Sequence, residues 1–191
     1  MYLVYSILCL NLELIYTGKQ RLAKSCLLNA LLMCCVSPLS GGIHTRLSES
    51  AVSIVDIIQS EFDSTGTGTD AGISVHVGED MDESKYHDLI DRVGATLSEY
   101  WELKRQMAAG SEPSFISKMF HSLCDDGNNR MYKSICSGYG LCGAGGGGFA
   151  VVILNRHSTR KDLTDRLDLS LFDVIDVEVD RDGICVELES F

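Results

Sequence analysis

The residues best suited to chemistry are Gly143, Ala144, Gly145, Gly146, Gly147 and Gly148, which run without interruption into Phe149-Ala150-Val151-Val152-Ile153-Leu154. Glycine has no Cβ, so such a run can take positive φ and bring its N–H groups close to a ligand, as backbone does around phosphates. A flexible linker would continue into Ser, Pro or charge. This run meets β-branched and aromatic residues instead, which makes it a loop held at the mouth of a strand.

Three readings compete for the loop. Gly143-x-Gly145-x-x-Gly148 satisfies the letters of the dinucleotide fingerprint, but that fingerprint opens a helix and here a strand follows. A P-loop needs Gly-Lys-Ser/Thr at its end, and Gly148-Phe149 denies it the lysine. A glycine-rich turn between two strands remains open beside a ligand-binding role.

Other groups with chemical potential are weaker. The eight cysteines, Cys9, Cys26, Cys34, Cys35, Cys124, Cys136, Cys142 and Cys185, form no C-x-x-C pair and no Cys/His cluster at zinc spacing, so reduced thiols are expected. The five histidines are scattered. Asp125-Asp126-Gly127-Asn128-Asn129 is a polar turn whose adjacent carboxylates point apart. Asp180-Arg181-Asp182-Gly183 resembles a calcium loop in its letters, yet alternating strand patterns flank it and make it a hairpin turn. No metal ligand set is assigned.

A chain of 191 residues with 45% apolar and 23% charged side chains is long enough for a substantial core and ordinary for a globular protein. Its net charge of −11, with Lys and Arg dispersed, argues against a nucleic-acid partner. The apolar residues 1–12 lack a basic n-region and an A-x-A-like cleavage site and are too short to span a bilayer. They read as an N-terminal extension or the start of the first strand, with no membrane partner expected.

The elements that must position the loop follow from periodicity. A strand over 12–16 stops at Thr17-Gly18, and a helix over 21–36 ends in a Ser/Gly-rich loop at 37–42. A second helix over 43–62 carries an apolar stripe of Leu47, Val52, Ile54, Val55 and Ile58. Residues 63–82 lose periodicity and read as a mobile surface insertion, with a short strand pattern at 73–77. A long helix over 83–109 ends at Gly110, Pro113 opens another that runs to Cys124, and 131–142 leads into the loop. After the 149–154 strand come a helix over 159–172 and strands over 174–179 and 184–188. The order implies an α+β sandwich with helices on one face of a largely antiparallel sheet.

Leu141-Cys142-Gly143-Ala144-Gly145-Gly146-Gly147-Gly148-Phe149 with its apolar strand resembles the third conserved motif of the GHMP sugar and metabolite kinases. Glu13-Leu14-Ile15-Tyr16-Thr17-Gly18-Lys19-Gln20-Arg21-Leu22-Ala23-Lys24 is similar to the strand-turn-helix segment of L-fucokinases and heptose 7-phosphate kinases. Tyr100-Trp101-Glu102-Leu103-Lys104-Arg105-Gln106-Met107, then Gly110-Ser111-Glu112-Pro113, reads like the fucokinase helix before the glycine loop. Three matches in order cover most of the chain from Glu13 onward and resemble the C-terminal part of an L-fucokinase.

The resemblance implies a GHMP kinase C-terminal-like, ferredoxin-like domain over 13–191. It also implies phosphoryl transfer from ATP, with Mg²⁺, to the anomeric hydroxyl of L-fucose, for nucleotide-sugar salvage in the cytoplasm. Residues 143–148 would then form the nucleotide or substrate loop, with Thr17 and Gly18 on the substrate side. Two departures matter. The family's Pro-x-x-x-Gly-Leu-x-Ser-Ser phosphate loop and its catalytic acid are not found among these residues, so catalysis is expected to need an N-terminal kinase half. The lysine that many members place just before the glycine loop is replaced by the Gly140-Leu141 neighbourhood. A non-catalytic sugar-binding, nucleotide-binding or interaction module, or an inactive truncated product, is the alternative.

Overall fold

Residues 12–16 alternate half-buried and buried side chains, the period-two pattern of a strand covered on one face. In the computed structural model, which describes residues 11–18, 40–64, 83–108, 110–124 and 134–177, they form β1 (Leu12–Tyr16). The elements that follow are α1 (Ser40–Ser64), α2 (Glu83–Met107), α3 (Ser114–Cys124), β2 (Cys136–Leu141), β3 (Phe149–Leu154), α4 (Arg160–Arg166) and β4 (Asp173–Ile175). The four strands make one sheet in the order β2-β3-β1-β4, antiparallel at every pairing. The α+β class and the antiparallel sheet are therefore as the sequence implies.

Register divides the core. Ile15 pairs with Ala150 and Leu141 also pairs with Ala150, so these side chains leave the sheet on one face, together with Val152 and Leu154. There they pack with Ile116, Met119, Phe120 and Leu123 of α3 and with Leu163 of α4. Ile153 leaves on the opposite face and packs with Leu89, Ile90 and Val93 of α2, backed by Ile57 of α1. The long helices cover one face and the shorter helices the other, so the expectation of helices on one face only is corrected: both faces of the sheet carry apolar side chains that need cover.

Helix α2 lies along β2, which is at the edge of the sheet among the described residues. Asp91, Gly94, Ser98 and Trp101 recur at intervals of three and four and so share one side of the helix. The Ser137 hydroxyl donates to Asp91 at 2.5 Å, and the Tyr139 N–H donates to Ser98 Oγ at 3.1 Å. Side chains of the helix thus satisfy polar groups that an uncovered sheet edge would present to solvent. Gly94 and Gly138 let the two backbones meet, and Gly140 faces Leu97 and Trp101.

Other expectations change as well, among them the strand expected over 174–179, which within the described residues spans Asp173–Ile175. The loop expected over 37–42 is already helical from Ser40, with Gly41 and Gly42 in the first turn. The α1 stripe is not buried as a unit: among the described residues Val52 and Val55 are 56% and 52% exposed, while Ile57 packs against the cluster of Leu89, Ile90, Val93 and Ile153. The helix expected over 159–172 spans only Arg160–Arg166, since Leu167 turns extended and Asp168 accepts from the Ser170 N–H and hydroxyl. A short acceptor side chain there offers the backbone a turn in place of further helix. Finally, Cys124 and Cys136 are joined in a disulfide across 12 positions, with Cα atoms 5.2 Å apart, which corrects the expectation of reduced thiols for this pair. The proximity of a helix end and a strand start decided it, and no sequence spacing encodes that.

The 21–36 helix, most of the 63–82 insertion, the 125–129 turn and the segment from 178 onward, including the Asp180 to Gly183 turn, lie outside the described residues. Residues 63 and 64 belong to α1.

Candidate functional site

The glycine loop joins β2 to β3. The Cys142 N–H donates to Phe149 O at 2.8 Å, closing the base of the hairpin. Above it Gly143, Gly145, Gly146, Gly147 and Gly148 all hold positive φ, at 69°, 83°, 81°, 135° and 85°. A side chain in this region is strained, so the run of glycines is required by the path of the chain and not merely allowed. Ala144 is the loop's one residue with a Cβ.

Two surfaces hold the loop. On one side the Gly146 N–H donates to Ser111 O at 2.6 Å, and a Cβ on Gly145 would lie 2.5 Å from that oxygen and 3.0 Å from Trp101 Cη2. On the other side Thr17, which is 2% exposed, donates from both its N–H and its hydroxyl to Gly148 O, at 2.9 and 3.0 Å. Gly18 follows at φ 67°, where a Cβ would come 2.8 Å from Leu171 O. Thr17 therefore touches the loop's last glycine, and the two sequence-derived site groups adjoin. Next to them the Tyr16 and Phe149 rings stand 5.3 Å apart, with Phe149 42% exposed.

Residues of α2 and of the turn after it complete the surroundings. The Trp101 indole N–H donates to Glu112 at 2.5 Å, and Arg105 pairs with the same carboxylate at 3.3 Å. The Lys104 ammonium donates to the Gly143 carbonyl and lies 5.2 and 5.9 Å from the Tyr100 and Trp101 ring centres. Burial, reinforced by the Glu112 charge, pushes the Tyr139 phenol above its ordinary value, so it stays protonated at neutral pH.

Trp101, Lys104, Ser111 and Glu112 were not singled out as site residues from sequence. The segments that carry them were recognised as a helix and a helix start, but nothing in their spacing shows that they meet a loop more than thirty positions away. Among the described residues no group of three or more His, Cys, Asp or Glu converges as metal ligands. Among the same residues no helix is long and apolar enough to cross a membrane.

The fold has a counterpart of known structure. L. major mevalonate kinase, solved in complex with R-mevalonate, superposes with a TM-score of 0.51 at 16% identity, over 84% of this chain and 38% of that one. The chain has a GHMP-kinase-like fold. In sequence this GHMP-kinase-like chain is similar to a bifunctional fucokinase/GDP-fucose pyrophosphorylase of Arabidopsis thaliana, 30% identical over 97 residues, which is 51% of this chain. The matched region is 8% of the plant protein's length, so the chain corresponds to a small portion of that relative. No protein-family model matches the chain.

Proposed function

We propose that this chain forms part of a sugar kinase that transfers phosphate from ATP to the anomeric hydroxyl of L-fucose, giving L-fucose 1-phosphate for GDP-fucose salvage in the cytoplasm. The observation that carries this reading is the loop of five positive-φ glycines, gripped between Ser111 and Thr17 on a GHMP-kinase-like fold. Phosphoryl transfer asks a protein chiefly for positioning and for donors aimed at developing charge. A rigid glycine loop provides close backbone approach. Mg²⁺ would arrive with the nucleotide, bound through its phosphates. Thr17 and Gly18 would border the acceptor side, and an N-terminal kinase half would supply the phosphate loop and the catalytic acid.

The test is reconstitution. Fused in frame behind the upstream half of a related fucokinase, the chain should support L-fucose-dependent ADP release, whereas the chain alone should not. Replacing Gly146 by Val in the fusion should abolish turnover while the fold persists, because a β-branched residue at φ 81° is strained and intrudes on the loop. A folded fusion without fucose-dependent turnover would refute the kinase reading and leave the alternative of a non-catalytic binding module.

A further inference from the structure

We propose that Phe149, Tyr16 and Asp173, side by side at the end of the sheet, form the platform that receives the sugar and selects for its methyl group. The inference rests on the sugar-kinase reading above and names what that site recognises. Register puts the three together: Tyr16 pairs with Phe149 of β3 on one side and with Asp173 of β4 on the other, and residues paired directly across strands share a face. That face is opposite the one Ile15 enters, because successive side chains alternate, and it is the face on which Ile153 meets α2. Cover is incomplete at this end. Phe149 is 42% exposed and Asp173 is exposed, while the two aromatic rings stand 5.3 Å apart with their planes tilted by 50°.

The backbone beneath all three is fixed before any ligand arrives. Thr17, next to Tyr16, donates twice to Gly148 O, Phe149 O accepts from the Cys142 N–H, and Phe172, next to Asp173, is buried and donates its N–H to Asp168 O. A platform held in this way loses little freedom on binding. Its chemistry matches a deoxysugar. The face of an aromatic ring is apolar and electron-rich, so it takes a methyl group or the C–H face of a pyranose, while a carboxylate accepts from hydroxyls that the rings cannot serve. L-Fucose offers both, a C6 methyl and a set of ring hydroxyls. The Tyr16 phenol adds a group that can donate and accept. A purine would be best held in a parallel slot, and two rings tilted by 50° leave none between them.

L-Fucose titrated into the whole chain and followed by saturation-transfer NMR should bind saturably at millimolar concentration, with its methyl protons the most strongly affected. L-Galactose, which carries a hydroxymethyl group in place of that methyl, should bind about tenfold more weakly, a preference within what an apolar contact can impose on an added hydroxyl. Phe149→Ser should weaken L-fucose binding by about tenfold and bring the two sugars to within about twofold of each other, whereas Phe149→Tyr should keep the preference. Asp173→Asn should weaken both sugars alike. Side chains this exposed are not needed for the fold, so far-UV circular dichroism of the variants should match that of the parent. In the reconstituted fusion Phe149→Ser should raise KM for L-fucose more than it lowers kcat.

Rings that serve only to pack the end of the sheet would give a different pattern. L-Fucose binding left unchanged by Phe149→Ser overturns the proposal, and so does equal affinity of the parent for L-fucose and L-galactose. Failure of the folded chain to bind L-fucose saturably overturns it as well. ADP run in parallel separates a nucleotide from a sugar: ADP binding lost in Phe149→Ser while L-fucose binding persists would assign the rings to the base and overturn it too. The kinase reading is judged separately. A fusion that phosphorylates L-fucose with KM and sugar preference unmoved by Phe149→Ser sinks this inference alone, whereas Phe149-dependent L-fucose binding in a chain whose fusion is inactive sinks only the kinase assignment.

Discussion

Gly94 of α2 and Gly138 of β2 meet backbone to backbone: a Cβ placed on Gly138 would lie 2.0 Å from Gly94 O, and one on Gly94 would lie 2.6 Å from the Ser137 carbonyl carbon. This contact sets the depth at which α2 rests on the sheet edge and hence the height at which Trp101 and Lys104 reach the loop.

Gly138→Ala and Gly94→Ala should each destabilise the fold by about 1–3 kcal/mol, toward the upper end because main chain cannot rotate away as a side chain can. Gly42→Ala in the first turn of α1, where a Cβ meets nothing within 4 Å, should be neutral or stabilising by up to about 1 kcal/mol. Urea midpoints for the three variants decide the matter. Equal midpoints for Gly138→Ala and Gly42→Ala would show that the helix does not sit this close.

Within the loop, Gly148→Ala and Gly145→Ala separate strain from collision. A Cβ on Gly148 meets open space, so only the positive φ is penalised, at about 1–2 kcal/mol. Gly145→Ala adds collision with Ser111 O and Trp101, and should be the more destabilising of the two. Trp101 emission should shift in Gly145→Ala and stay in place in Gly148→Ala. A shift of the same size in both would mean that the indole does not abut Gly145.

Glu13 gives a pH signature. Its burial raises the carboxyl above the ordinary glutamate range, an effect that Arg160 at 3.2 Å opposes and the Asp176 charge reinforces. The folded state therefore holds this proton more tightly than the unfolded state does. Stability from the group is present below the ordinary glutamate value and declines as pH rises through the higher folded value. Glu13→Gln should lose this component of the decline and be no less stable than the parent at neutral pH, since burial outweighs the Arg160 attraction. Thermal melts from pH 4 to 7 provide the check, and a Glu13→Gln variant clearly weaker at pH 7 would show that the ion pair dominates.

The Cys124–Cys136 bond ties the end of α3 to the start of β2. A closure of this size stabilises a fold by roughly 3 kcal/mol in the chain-entropy account. Dithiothreitol should lower the denaturation midpoint of the parent and leave Cys124→Ser/Cys136→Ser unaffected, and thiol titration in denaturant should reveal an extra pair of thiols after reduction. Identical thiol counts before and after reduction would contradict the pairing.

Much of the fold was legible in local sequence. The β2-loop-β3 hairpin, β1, and the helices Glu83–Met107 and Ser114–Cys124 rest on periodicity and on Gly and Pro at their ends, features that act over a few residues. The glycine loop was likewise marked by composition, since positive φ at Gly143 and at the four successive positions 145–148 leaves few other residue types able to follow that path. What the loop touches was not legible. Ser111, Lys104 and Thr17 reach it from elements far away in sequence, and their convergence depends on a sheet order that places β1 beside β3 and on the Gly94 and Gly138 contact that seats α2. The exposure of Val52 and Val55 has the same origin. An apolar stripe states that a helix can bury a face, while only the neighbours assembled around it decide how much of that face is covered.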